Sequence, residues 1–140
     1  MTSFLALTVL VPAVDQAVKR LVRRRLAEPG LSLGMFGRLQ AVDARVWAVR
    51  ATGGSPVKML WAVWAGSTAA CAAAAFMEPR LGWSLGLMVG GALSHALETT
   101  LRGTICDYVC LRFWPPFNLA DVALTVGLVG ALFGFIQVVA

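Results

Sequence analysis

Polar and apolar positions fall into blocks along the chain, with four apolar segments separated by shorter polar stretches. The first runs from Ser3 to Leu21, is interrupted by Pro12, and carries the ionisable Asp15 and Lys19 towards its end. The second, Val57 to Met77, is Ala-rich and has Trp61 and Trp64 near one end, where an interfacial aromatic belt would hold them. The third, Leu81 to Leu97, carries Gly82, Gly86, Gly90 and Gly91, small residues that let helix backbones approach closely in lipid. The fourth, Leu119 to Ala140, repeats that device with Gly127, Gly130 and Gly134 and has Asp121 as its only acid. Each segment is close to the roughly 20 residues of a helical span. The pattern therefore predicts an all-α integral membrane protein: one polytopic domain over residues 1–140, with four transmembrane helices and both termini on the same side.

The small extramembrane segment between the first two spans, Arg20 to Pro56, opens on the basic residues Arg20, Arg23, Arg24 and Arg25. Within it Phe36, Leu39, Val42, Val46 and Val49 recur at three or four residues, which predicts an amphipathic helix over Phe36 to Ala51. Such a helix lies either on the membrane surface or on the protein itself. Between the third and fourth spans, Trp114-Pro115-Pro116 reads as a break and an interfacial anchor. The apolar stretch from Ser3 to Val14 runs into Asp15 without a basic leader or a small-residue cleavage site, so it is expected to be a retained span.

Composition sharpens this picture. Residues of the AVILMFWYC set make up 59% and charged residues 14%, with a mean hydropathy of +0.76; ordinary soluble domains have about 45–50% and about 25%. A large soluble catalytic domain is excluded. The net charge of +5 points to an anionic lipid surface rather than to nucleic acid. Cys71, Cys106 and Cys110 make no closed disulfide set and are expected as free thiols.

A charge near the bilayer core is expensive and usually functional, which singles out Asp15, Glu98, Asp107 and Asp121. With four spans, all of these acids reach the same membrane face. Two carboxylates held close together share one proton, so one serves as base towards water and the other as acid towards a carbonyl. A structural reading of Asn118-Leu119-Ala120-Asp121 is equally open: Asn118 caps a helix, and Asp121 bonds back to the cap. If both hold, Asp121 stays ionised and Asp107 keeps the proton. His95, the only histidine, precedes Glu98 by three residues on one helical face. A hydrogen-bonding role near the acids suits it better than a metal site with Glu98, Asp107 and Asp121, because one His with carboxylates is a poor zinc set. Ser94 and His95 are adjacent and point apart on a helix, so they form no nucleophile and base pair.

Gly90-Gly91-Ala92-Leu93, Ile105-Cys106-Asp107-Tyr108 and Pro116-Phe117-Asn118-Leu119-Ala120-Asp121, together with Asp15-Gln16 and Lys19, resemble the motifs of signal peptidase II. The resemblance implies an intramembrane aspartic endopeptidase of the bacterial cytoplasmic (inner) membrane, working as a monomer without cofactor or metal. Its substrate would be a prolipoprotein, cut just before the diacylglyceryl-modified cysteine. Asp107 and Asp121 would be the dyad. Asp15 and Lys19 would brace the first span, Asn118 and Ala120 would belong to the start of the fourth helix, and Gly90 and Gly91 would permit close approach of a peptide or helix. Against the family pattern, His95 replaces Asn, Glu98 replaces Asp, Thr99 replaces Arg, and Glu28 stands where an Asn is expected. Arg102 is the candidate to supply the missing cation. These replacements keep open a non-cutting homologue that binds lipidated peptides or a membrane partner. A small four-span proton-coupled transporter using Asp15 is a further alternative. In the four-span layout every Lys and Arg except Arg80 lies on the dyad's side. The resemblance makes that side extracytoplasmic, whereas the positive-inside rule would make it cytoplasmic.

Overall fold

A computed structural model of the chain describes residues 1–26, 30–45 and 56–139. The order is α1 (Thr2–Arg25), β1 (Leu31–Ser32), β2 (Gly37–Arg45), α2 (Pro56–Met77), α3 (Gly82–Arg102), β3 (Thr104–Leu111) and α4 (Leu119–Val139). Short 3-10 turns at Gly34–Phe36 and Pro79–Leu81 precede β2 and α3.

Helix α3 is the centre of the bundle and packs on α1, α2 and α4. Its glycines explain how. A Cβ on Gly90 would come within 2.7 Å of the Leu7 carbonyl oxygen of α1, and one on Gly91 within 2.7 Å of the Ala120 carbonyl oxygen of α4. From the facing side, a Cβ on Gly127 would come within 2.6 Å of the Ser84 carbonyl oxygen. The small-residue faces therefore seat backbone against backbone between helices.

Helices α2 and α4 each contain a stretch long and apolar enough to cross a membrane, Val57–Met77 and Leu119–Val138. The other two long helices carry buried ionisable groups, Asp15 and Lys19 in α1 and Glu98 in α3, which interrupt their apolar runs.

Three expectations are corrected. The chain is mostly helical but not all-α, because β1, β2 and β3 form an antiparallel sheet in that order. The helix expected from Phe36 is instead strand β2 as far as Arg45, and residues 46–51 lie outside the described residues. The physical reason is an irregularity in the ladder: Leu39 pairs with Val109, but the next partners are Val42 and Asp107. A bulge shifts the side-chain phase, so alternation on either side of it leaves apolar residues three apart and imitates a helical period. Helix α3 also extends past Leu97 to Arg102 and ends at Gly103, whose φ of 68° is the left-handed conformation of a helix stop. Glu98 thus stands inside the helix rather than beyond it.

Candidate active site

The site lies where the C-terminal parts of α1 and α3, strand β3 and the start of α4 converge. Asn118 and Asp121 open α4 with a reciprocal cap: Asp121 N–H donates to Asn118 Oδ1 at 3.1 Å, and Asn118 N–H donates to Asp121 Oδ2 at 2.9 Å. The Asn118 side chain has a second task. Its Nδ2 donates to Asp107 Oδ1 at 2.7 Å, so one fully buried residue holds both carboxylates. Nearby, the Tyr108 hydroxyl accepts the Leu119 N–H at 3.0 Å and ties β3 to the same helix start.

On the other side of Asp121, His95 Nε2 stands 3.1 Å from Oδ1. His95 Nδ1 is buried without a hydrogen-bond partner. An unpaired buried lone pair costs less than an unpaired N–H, which assigns the proton of the neutral ring to Nε2, facing the carboxylate. The Asp121 side chain is 40% exposed and so meets water. Burial pushes the Asp107 carboxyl above its ordinary range; the Asn118 hydrogen bond opposes that shift and the nearby Asp121 charge adds to it.

A closed ionic cluster lies behind the two carboxylates. Lys19 Nζ lies 2.7 Å from Asp15 Oδ2 and 2.7 Å from Glu98 Oε2, with all of these side chains fully buried. These are ion contacts, without hydrogen-bond alignment for Lys19 Nζ and Glu98 Oε2. Asp15 also accepts from Ser94 Oγ at 2.6 Å and from Ala120 N–H at 3.3 Å. Gln16 Nε2 donates to Ser94 Oγ at 3.0 Å. Asp15 therefore joins α1, α3 and α4 at the level of the cap. At the other end of the cluster, Arg23 pairs with Glu98 Oε1 at 2.6 Å and with Asp43 Oδ1 of β2 at 2.8 Å.

The structure thus brings Asp107, Asp121, Asn118 and His95 together, with Asp15, Lys19, Gly91 and Ala120 supporting them. Glu98 does not join Asp107 and Asp121, because it turns to Lys19 and Arg23. Among the described residues no group of His, Cys, Asp and Glu is arranged to hold a metal. Arg102 is exposed and makes no ion pair among the described residues; the cations beside Glu98 are Lys19 and Arg23. Arg23 was hidden within the basic run Arg23-Arg24-Arg25; its four-residue step from Lys19 on the same helical face was the available signal. Glu28 lies outside the described residues. Cys106 is fully buried, and Cys71 and Cys110 are partly buried free thiols.

The family model described as Signal peptidase (SPase) II matches residues 7–137. The chain belongs to the signal peptidase II family. A lipoprotein signal peptidase of Moorella thermoacetica is 33% identical over 132 residues, covering 90% of this chain and 87% of the relative. One of Mycobacterium leprae is 28% identical, covering 92% of this chain and 83% of its own. A bacterial membrane enzyme solved by the in meso method at 1.9 Å shares the fold with a TM-score of 0.79 and 17% identity, over 98% of this chain and 94% of its own. The signal peptidase II chain is thus a peptidase of a membrane-enzyme family. Membership favours neither a non-cutting binder nor a transporter, and Asp15, sealed between Lys19, Ser94 and Ala120, offers no open proton site for transport.

Proposed function

We propose that this protein is an intramembrane aspartic endopeptidase that removes the signal peptide of a bacterial prolipoprotein just before its diacylglyceryl-modified cysteine, with Asp107 and Asp121 as the catalytic dyad. The observation that carries this reading is the clamp of Asn118 on both carboxylates. Asp121, whose oxygens both face donors, takes a proton from a water held between the two acids as the water oxygen bonds to the scissile carbonyl carbon. Asp107, which burial keeps protonated to higher pH, gives its proton to the carbonyl oxygen. When the tetrahedral gem-diol collapses, one of its hydroxyls returns a proton to Asp107 as the C=O bond reforms, the C–N bond breaks, and the leaving nitrogen takes the proton held by Asp121. No cofactor enters this sequence.

In the same reading all four long helices cross the bacterial cytoplasmic membrane, the dyad faces the extracytoplasmic side, anionic lipids surround the basic face, and the protein works as a monomer. Pairing of Lys19 with both Asp15 and Glu98 supports burial of α1 and α3 in the membrane, since it offsets part of the cost of their charges. Fluorescence of a C-terminal fluorescent-protein fusion tests the orientation, because such fusions fluoresce on the cytoplasmic side and stay dark outside.

Mass analysis of the product from a diacylglyceryl-modified prolipoprotein tests the activity. The expected product begins at the modified cysteine, and the unmodified precursor is cut far more slowly. Equal cleavage of both precursors, or a cut elsewhere, would contradict the proposed specificity.

A further inference from the structure

Away from the dyad, the sheet carries a second feature. Arg38 of β2 pairs with Cys110 of β3, and one step further along the ladder Arg112 N–H donates to the Phe36 carbonyl at 3.2 Å. Arg112 follows directly on the end of β3, and the cleft at this end of the sheet is lined by both arginines. Both are exposed and both line a cleft of about 620 Å³ together with Gly34 and Gly37. Gly37, with φ of 141°, passes so close to the Cys110 carbonyl that a side chain there would collide with it, which leaves the cleft floor as bare backbone.

Neither guanidinium has a carboxylate partner among the described residues; Arg38 reaches only Gln40 Oε1, at 3.5 Å. No acid occurs in residues 30–42 or 108–120, so nothing nearby in sequence neutralises the pair. Around it stand Met35 (77% exposed), Phe36 (62%), Phe113 (77%) and Trp114 (63%). Trp114 precedes α4 closely and therefore sits near the level at which that apolar helix leaves water. Two unneutralised arginines fit a phosphate, and exposed aromatic and apolar side chains beside them fit acyl chains. A nucleic acid or acidic protein would account for the charge but not for this apolar rim.

We propose that Arg38 and Arg112 bind the headgroup phosphate of an anionic phospholipid while Met35, Phe36, Phe113 and Trp114 seat in the same leaflet. The site rests on the membrane reading of the chain but not on catalysis by the dyad, so it docks the sheet on the bilayer whether or not the enzyme cuts.

Trp114 supplies the probe. The full chain in mixed micelles is titrated with phosphatidylglycerol or phosphatidylcholine brominated near the carbonyl end, and the Trp114 component is isolated by subtracting the Trp114→Phe protein. With about fivefold expected from each arginine, half-maximal quenching falls at about 25-fold less anionic than zwitterionic lipid. Arg38→Gln/Arg112→Gln abolishes that preference while retaining the wild-type cooperative melting transition in detergent, which certifies its fold. Inorganic phosphate at matched ionic strength leaves the preference intact. Equal quenching by both lipids, or a preference that survives in the double variant, overturns the site. Competition by inorganic phosphate overturns the lipid as its ligand. Asp107→Asn is expected to keep the full preference, so failure of the catalytic reading and failure of the lipid site are read separately.

Discussion

Asn118 holds Asp107 by a hydrogen bond of 2.7 Å from Nδ2 to Oδ1, and the same residue caps the helix that carries Asp121. One side chain therefore sets the spacing of the dyad. Asn118→Ala loses the cap, worth about 1 kcal/mol, and also frees Asp107 to move relative to Asp121. Its kcat for prolipoprotein cleavage is expected to fall about a hundredfold with only a modest loss of thermal stability. A kcat within a few-fold of wild type would mean that Asn118 is only a cap.

The pH profile follows from Asp107. Its carboxyl sits above the ordinary 3.8 chiefly through burial, so as the catalytic acid it keeps its proton, and activity persists, to higher pH than an ordinary aspartate would allow. Activity then declines as pH rises through the folded-state value. The Asn118 hydrogen bond lowers that value, so the residual activity of Asn118→Ala is expected to have its alkaline limb shifted to higher pH. For stability the sign is the same. The folded state holds this proton more tightly than the unfolded chain, so ionising Asp107 costs stability from about pH 3.8 upward, and Asp107→Asn removes that dependence. Melting temperatures across pH, compared for wild type and Asp107→Asn, check it.

His95 occupies the position where the family pattern has Asn, and Nε2 faces Asp121 at 3.1 Å. A side-chain amide can donate from the same place. His95→Asn is therefore expected to stay within about tenfold of wild-type kcat, whereas His95→Ala, which leaves one Asp121 oxygen without its donor, loses about a hundredfold. Equal kcat values for the two variants would remove His95 from the positioning of Asp121.

Lys19 is fully buried between Asp15 and Glu98. Removing one member of a buried ionic cluster strands its partners, at a cost of about 3–5 kcal/mol. Lys19→Met should thus lower the melting temperature in detergent sharply. Arg23→Gln should do so less, because Lys19 still neutralises Glu98 and Arg23 is partly exposed. The reverse order would place the weight of the cluster on the outer pair.

Most of the helical frame is readable from the chain because apolar blocks and glycine spacing are local signals. The cap that opens α4 is readable because Asn118 and Asp121 lie three residues apart and obey a local rule, whereas the approach of Asp107 to that cap joins separate elements and is not a local signal. The sheet is not. The bulge between Leu39 and Val42 disguises β2 as a helical period, and the alternation of β3, with Cys106 and Tyr108 buried, falls in a stretch read as a polar connection. Its residues Thr104, Ile105, Tyr108 and Val109 after Gly103 were the strand signal. The role of Arg23 depends on Glu98 from α3 and Asp43 from β2 arriving beside it, a meeting of segments distant in sequence.

The central claim, that Asp107 and Asp121 jointly perform the cleavage, is tested most directly by turnover of a diacylglyceryl-modified prolipoprotein by wild type, Asp107→Asn and Asp121→Asn, each shown to melt cooperatively. The account predicts that wild type cuts before the modified cysteine and that each substitution lowers kcat by at least about a thousandfold. Comparable turnover by all of these proteins would contradict it.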